Sequence, residues 1–296
     1  MTLPSVHTVR EVLLQAQQLL TDALAIEPYE ARLEAQLLLQ TALNLDRAWL
    51  ISHENDALGA NIHAVFQASI LRRSHGEPIA YILGRREFFG LDLMVTPATL
   101  IPRPDTETLV EAALAKLSED KHLSILDLGT GSGAIALAIA KNCPQANVTA
   151  VDASSAALDV AKNNAYQLNI PNVQFQASNW FDALTHQRFD VIVSNPPYIE
   201  QDDKHLKQGD LRFEPITALA SGTDGLNDIR QIVADCLIYL KPQGWLMLEH
   251  GYQQAPAVAD LMANIGLVDI ATFQDLSGND RVTIGKNSLI VSTHWD

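Results

Sequence analysis

Between Val9 and Ala23 the apolar residues Val9, Val12, Leu13, Ala16, Leu19, Leu20 and Ala23 recur along the chain. That is the i, i+3, i+4, i+7 recurrence of one helix face. "EARLEAQLLLQTALNL" and "NIHAVFQASILRR" repeat it, so a helical bundle is expected from about residue 7 to residue 73, within a first domain of residues 1–75. The period then shortens. "EPIAYILGRREFFGLDLMV" holds two β-rich runs divided by Gly84, Arg85 and Arg86, which predicts a β-hairpin linker over residues 76–100. "TPATLIPRPDTETLVEAALAKL" follows as a proline-punctuated turn entering a helix, with Asp105 or Thr106 as the expected N-cap.

From His122 onward, strand and helix patterns alternate. "LSILDL", "ANVTAVD", "NVQFQAS", "FDVIVSN", "GWLMLEH" and "LVDIATF" read as strands. "AIALAIAKN", "SAALDVAKNNAYQL", "LNDIRQIVADCLIYL" and "QQAPAVADLMANI" read as helices between most of them. The strands are near-continuous apolar runs, as expected when both faces of a parallel sheet are covered. The alternation predicts a doubly wound α/β domain over residues 101–296. "RVTIGKNSLIVS" predicts a terminal hairpin at the sheet edge. The chain has no internal repeat and no low-complexity segment.

Composition narrows the function. The 296 residues are 47% hydrophobic and 19% charged, the balance of an ordinary globular protein. A formal charge of −15 repels phosphate backbones, which argues against a dedicated duplex-DNA binder. Cys143 and Cys236 are far apart and form no ligand pair, so reduced thiols, no metal site and a cytoplasmic location are expected. "MTLPSVHTVR" lacks the basic and apolar regions of a signal peptide, and no apolar run approaches the ~20 residues that span a bilayer. HExxH and GxSxG spacings are absent, which removes the usual handles for zinc hydrolysis and serine-nucleophile chemistry.

Two stretches carry candidate chemistry. "ILDLGTGSGAIALAIA" sets Gly129, Gly131 and Gly133 between the first strand of the alternating region and its helix. Glycine permits a sharp turn and close approach of a ligand to backbone, and a helix N-terminus presents free N–H groups. The next strand ends in Asp152, whose carboxylate can accept from both hydroxyls of a ribose. The pair points to an adenosine-bearing cofactor across the strand ends. The loop alone leaves a dinucleotide open, and the same residues would also serve a tight turn and a helix cap.

The second stretch, "FDVIVSNPPYIE", ends a buried strand in Asn195, Pro196, Pro197 and Tyr198. In the usual doubly wound order the first and fourth strands are neighbours where the order reverses, so Asn195 and the Gly129 loop face one crevice. The prolines hold Asn195 and Pro196 in extended geometry, which exposes carbonyl acceptors. A planar NH2 group would donate to the Asn195 side chain and the Pro196 carbonyl, with Tyr198 packed against its plane. Holding both hydrogens favours a pyramidal nitrogen with its lone pair aimed at an electrophile, and a methyl group on sulfonium fits that role.

With these residues in view, "DLGTGSG", "AVDASSAALDVAKNNA" and "VSNPPY" resemble the class I S-adenosylmethionine-dependent methyltransferases acting on amide or exocyclic nitrogens. "EPIAYILGRREFFGL", "LIPRPDTETLVE", "RFEPITALASGTDGL" and "DLSGNDRV" are similar to segments of the PrmC/HemK family, the protein-(glutamine-N5) methyltransferases of bacterial peptide chain release factors. The resemblance covers nearly the whole chain, most weakly its N-terminal helices. It implies a doubly wound, mostly parallel seven-stranded sheet with a small N-terminal helical domain that helps grip the release factor. It implies methyl transfer from S-adenosyl-L-methionine to the glutamine of a Gly-Gly-Gln loop during translation termination, with no direct nucleic-acid partner, no membrane and a monomeric enzyme.

By the same resemblance Gly129, Thr130, Gly131, Ser132 and Gly133 line the methionine end of the cofactor, Asp152 holds the ribose, and Trp180 and Asn195 border the cofactor. The resemblance also has Asn195 and Pro196 bind the glutamine; the geometry of "NPPY" adds Pro197 and Tyr198 to the expected substrate site, with Asn195, Pro196 and Tyr198 expected to carry the catalysis. Asn179 stands where the family pattern has an acid. Arg103 is left between the site mouth and an ordinary ion pair, and Glu249 and His250 are read as a strand-end turn. The competing readings are an N6-adenine nucleic-acid methyltransferase, an NAD(P)-linked oxidoreductase that leaves "NPPY" unexplained, and a non-enzymatic S-adenosylmethionine-sensing module.

Overall fold

The computed structural model describes residues 7–117 and 122–288. They form two compact units that part at Gly84.

The first unit is helical: α1 (Val9–Leu24), α2 (Pro28–Leu43), α3 (Arg47–Ser52), α4 (Ala60–Ser74) and α5 (Ile79–Leu83). Thr8 and Glu11 close a reciprocal capping box at the start of α1, while α2 starts with Pro28 and stops at Asn44, which adopts a left-handed conformation. Val12, Leu20, Ala35, Leu39, Phe66 and Ile70 form the core of the bundle. Buried within it, Arg73 Nε donates to Glu34 Oε2 at 2.7 Å and Nη2 to Oε1 at 3.0 Å, a two-pronged pair.

The sequence reading ended this unit at residue 75 and made "PIAYIL" the first arm of a hairpin. Instead, Ile79–Leu83 is a single helical turn that stops at Gly84, φ +71. Ile79, Ile82 and Leu83 pack on the bundle core at helical spacing, and that burial outweighs the local β propensity. The hairpin comes one step later, as β1 (Arg85–Phe88) and β2 (Leu91–Met94). Phe89 and Gly90 both have positive φ, the type I′ pattern that joins antiparallel strands through two residues.

The second unit continues with α6 (Glu107–Leu114), β3 (Ser124–Leu128), α7 (Ala134–Asn142), β4 (Asn147–Asp152), α8 (Ser155–Gln167), β5 (Val173–Ala177) and β6 (Phe189–Ser194). It ends with α9 (Asn227–Tyr239), β7 (Leu240–Glu249), α10 (Ala255–Asn264), β8 (Leu267–Gln274) and β9 (Asp280–Asn287). The sheet order is β5-β4-β3-β6-β7-β9-β8, parallel from β5 through β7, with β9 antiparallel to both neighbours. Side chains alternate across it. Ile125, Val191 and Met247 join one core with α6 and α7, whereas Leu126, Ile192 and Leu246 join the other with α9 and α10.

The expected terminal hairpin is corrected here. Asp280–Asn287 is one strand inserted between β7 and β8, and its hairpin partner is β8. The remainder of that segment, residues 289–292, lies outside the described residues. Val282 and Ile284 face one core while Thr283 and Gly285 between and after them are also buried, and that alternation reads the same at an edge as inside a sheet, so the pattern did not reveal an interior position. Asp105 and Thr106 also differ from expectation. They lie in a 3-10 turn, Pro104–Thr106, and neither side chain caps α6. No helix among the described residues is long and apolar enough to cross a membrane.

The buried pair in the helical unit yields a stability test. Glu34→Ala leaves the Arg73 guanidinium without its carboxylate, so unfolding in urea should show a loss of about 3–5 kcal/mol. A loss within experimental error would show that the pair contributes nothing to folding.

Candidate active site

The chain runs outward from β3 to β4 and β5, then returns to place β6 on the other side of β3. At that reversal Leu128 pairs with Ser194, and the Ser194 hydroxyl donates to the Leu128 carbonyl at 2.8 Å. The loops leaving β3 and β6 therefore start side by side, as expected at a topological switch point. Beyond the strand ends lies a cavity of about 450 Å³. Gly129 and Gly131 reach it from β3, Asp152 from β4, Asn179 and Trp180 from β5, and Asn195 and Pro197 from β6.

The glycine loop is shaped for close approach. Gly129 has φ +71, and a Cβ there would sit 3.3 Å from the Trp180 ring, so a side chain would press on the cavity wall. The Gly131 amide donates to Asp152 Oδ2 at 2.9 Å, and the Ser154 amide to Oδ1 at 2.8 Å. Asp152 is thus held by both flanking loops with acceptor capacity left over. Helix α8 takes its cap from Ser154, which accepts from the Ala157 amide, so Asp152 is free of that task.

Thr130, Ser132 and Gly133 lie behind the lining. The Thr130 hydroxyl donates to Asp127 Oδ2 at 2.6 Å, the Ser132 carbonyl accepts from Asn164, and Gly133 opens α7. Asp127 is fully buried, and burial pushes its carboxyl up to about 7 against the hydrogen bonds from Thr130 and Ala136.

Trp180 adopts φ +47, a left-handed conformation costly for a bulky residue. It is held from both ends. Its carbonyl accepts from the Ser178 hydroxyl at 2.8 Å, and its Nε1 donates to Asp228 Oδ1 at 3.2 Å. Asp228 also lines the cavity and accepts the Ser221 hydroxyl at 2.5 Å. The sequence gives neither residue an evident role: Ser221 falls within "RFEPITALASGTDGL", and Asp228 lies two residues past its end, in the helical stretch "LNDIRQIVADCLIYL". The signal was a strand-distal acid that meets Trp180 only in three dimensions.

At the other wall, Asn195 Nδ2 donates to Thr106 Oγ1 at 3.2 Å. Pro196 and Pro197 are buried, and Pro197 lines the cavity. Tyr198 turns away from it. Its ring packs on the α9 and α10 side of the core, and its hydroxyl donates to Glu249 Oε1 at 3.2 Å. Glu249 is only 1% exposed, and burial pushes its carboxyl up to about 7, opposed by Thr106, Arg281 and Tyr198. Glu249 does end β7, but its carboxylate is the buried partner of Tyr198 rather than part of an exposed turn. The buried His250 ring instead lies 2.8 Å from the Thr283 hydroxyl. Arg103 resolves as an ion pair with buried Glu214, tying the "IPRP" turn to the segment whose Pro215, Thr217 and Ala218 form another cavity wall.

Comparison with known proteins agrees with this layout. Residues 11–84 match the PrmC N-terminal domain, and residues 105–211 match the methyltransferase small domain. A release factor glutamine methyltransferase of Xylella fastidiosa (strain Temecula1) is 53% identical over 86% of this chain and 93% of its own. One of Pseudomonas aeruginosa is 48% identical over 90% of this chain and 97% of its own. A methyltransferase structure from Pyrococcus furiosus superposes with TM-score 0.52 at 21% identity, covering 75% of this chain and 98% of that one.

The sheet order, with its single antiparallel insertion and its cavity at the reversal, is that of a class I methyltransferase. Within that class, the chain belongs to the release factor glutamine methyltransferases, which are S-adenosylmethionine-dependent enzymes.

The buried Asp127 makes stability pH-dependent with a definite sign. Its folded pKa near 7 lies above its unfolded value, so its contribution is complete below pH ~4 and is lost as pH rises to about 7. Relative to Asp127→Asn, the wild type should lose on the order of 3–4 kcal/mol across that window and nothing further above it. Unfolding curves of the two proteins that stay parallel from pH 4 to 8 would contradict the shift.

Proposed function

We propose that this protein transfers the methyl group of S-adenosyl-L-methionine to the side-chain N5 of the glutamine in the Gly-Gly-Gln loop of peptide chain release factors. The observation that carries this reading is the meeting of Asn195 with the Gly129 loop, Asp152 and Trp180 round one cavity. When bound, S-adenosyl-L-methionine supplies an electrophilic methyl group on sulfonium.

The residues of the cavity suit that donor. Asp152 keeps lone pairs for the ribose hydroxyls, the Gly129 and Gly131 backbone admits close approach, and Trp180 provides an apolar wall. The reaction asks for orientation rather than for a strong base. Asn195 Oδ1 and the Pro196 carbonyl accept the two hydrogens of the glutamine NH2 and favour a pyramidal nitrogen, and the two prolines hold those acceptors rigid. Once methylated, the nitrogen is acidic and gives up its proton to solvent.

Tyr198 contributes by anchoring the loop to Glu249, with its ring facing the core. In this reading the helical unit grips the body of the release factor. The enzyme acts as a monomer in the cytoplasm, without direct nucleic-acid contact. Intact-mass analysis of a purified release factor incubated with the protein and S-adenosyl-L-methionine tests the whole reading. A gain of one methyl on the Gly-Gly-Gln glutamine supports it; a methyl on adenine of DNA or RNA, or none at all, overturns it.

Two substitutions separate donor binding from catalysis. Asp152→Ala should weaken S-adenosyl-L-methionine binding by about 1.5–3 kcal/mol for each charge-assisted hydrogen bond removed, read by calorimetry. Unchanged affinity would remove Asp152 from the donor site. Asn195→Ala should lower kcat by about 10²–10³-fold with little change in melting temperature, because it removes an acceptor needed most in the transition state. Near wild-type single-turnover methylation would reduce "NPPY" to a turn.

A further inference from the structure

One side chain holds two walls of the cavity. Asp228 stands in the first turn of α9, where an acid commonly does no more than favour the helix dipole. Its carboxylate is committed elsewhere. Oδ1 accepts the indole N–H of Trp180 at 3.2 Å, and Oδ2 accepts the Ser221 hydroxyl at 2.5 Å. The Ser221 oxygen accepts in turn from the Asp228 amide at 2.9 Å, so two hydrogen bonds join these residues.

Each partner belongs to a different wall. Trp180 follows β5 in a left-handed conformation, and its ring leans on the glycine loop, where a side chain on Gly129 would begin 3.3 Å from it. Ser221 is buried at the end of the segment whose Pro215, Thr217, Ala218 and Ala220 line the cavity. That segment is paired with the chain just beyond Tyr198. The Ile199 amide donates to the Leu219 carbonyl and the Ser221 amide to the Ile199 carbonyl, both at 2.9 Å. Asp228 therefore links the wall beside the glycine loop to the wall that runs along the continuation of "NPPY".

We infer that Asp228 is a positioning residue whose carboxylate clasps Trp180 and residues 218–221 together, so that the cavity already has its shape when S-adenosyl-L-methionine arrives. This rests on the proposed donor site, and it gives a role in donor affinity to a residue that acts through its neighbours. The torsion that turns an indole ring is broad, and a bulky residue keeps a left-handed backbone only where its surroundings hold it. A carboxylate suits the task because it accepts at both oxygens and so takes one donor from each wall. Arg230, two residues along α9, pairs with Asp224 instead. Walls left loose must be ordered when the donor binds, which lowers affinity without altering the transfer step.

The test measures S-adenosyl-L-methionine affinity by calorimetry, together with methylation of a purified release factor at saturating donor. Asp228→Ala should weaken donor affinity about tenfold and leave kcat within about twofold of wild type once the donor saturates. Asp228→Asn keeps an acceptor for the indole and a hydrogen-bond partner for Ser221, so it should bind within about threefold of wild type. Trp180→Phe keeps an aromatic ring and removes the N–H. In that background Asp228→Ala should cost clearly less than about tenfold, because the contact that couples the two is already gone. Ser221→Ala breaks the other arm and should weaken donor binding about threefold.

Wild-type donor affinity in Asp228→Ala overturns the inference, and so do fully additive losses in the Trp180→Phe and Asp228→Ala pair. An Asp228→Asn protein as weak as Asp228→Ala would assign the effect to the attraction of a negative charge for a cationic donor, and the clasp is then wrong. If Asp228→Ala does not fold, unchanged donor affinity in both Trp180→Phe and Ser221→Ala overturns it instead. A wild-type protein that binds no S-adenosyl-L-methionine strikes the proposed function itself, and the inference falls with it.

Discussion

The pairing of β3 with β6 is the contact on which the candidate site depends. Leu128 faces Ser194 in the ladder, and the Ser194 hydroxyl donates to the Leu128 carbonyl. Sixty-six residues separate the two in the chain, yet that hydrogen bond starts the glycine loop and the Asn195 segment from one point. Every other element of the site is placed relative to it. β4 brings Asp152 from one side, and β7 brings Glu249 from the other. Without the reversal of strand order these side chains would lie on separate stretches of the sheet edge, with no cavity between them.

Around that fixed point acids act in linked pairs, two of the three fully buried and Asp228 half-buried. Asp127 holds Thr130 behind the glycine loop, Asp228 holds the strained Trp180, and Glu249 holds Tyr198. Each acid reaches an element other than its own strand or helix. Such carboxylates are costly to bury, and burial pushes those of Asp127 and Glu249 upward. What they provide is direction, since a carboxylate only accepts and so dictates the orientation of every donor round it.

Much of the architecture was legible along the chain. Near-continuous apolar runs alternating with helical periods identified the strands from β3 to β8, because a parallel sheet covered on both faces leaves that signature. Gly129, Gly131, Asp152, Asn195 and Pro197 were named from type and spacing and Trp180 from the family resemblance, and these six line the cavity, whereas Thr130, Ser132 and Gly133 lie behind it. The misreadings have a common origin. "PIAYIL" has β-forming residues, but five of them fit one helical turn against the bundle, and packing decided the matter. The alternating pattern of β9 gave no hint of its slot between β7 and β8, since such a strand looks the same at either position.

Sequence by itself determined the identity of the groups available for chemistry: glycines where backbone must be approached, a strand-end acid, and an amide braced by two prolines. Those features are local, and local constraints such as φ freedom and proline rigidity can be read from neighbouring residues. Only the tertiary structure decided which groups support them. Thr106, Asp228 and Glu249 look like an ordinary helix cap, a helix-start acid and a strand end. They become partners of Asn195, Trp180 and Tyr198 through contacts spanning 89, 48 and 51 residues. Hydrogen bonds of that range depend on strand order and helix packing, which no short stretch of chain encodes.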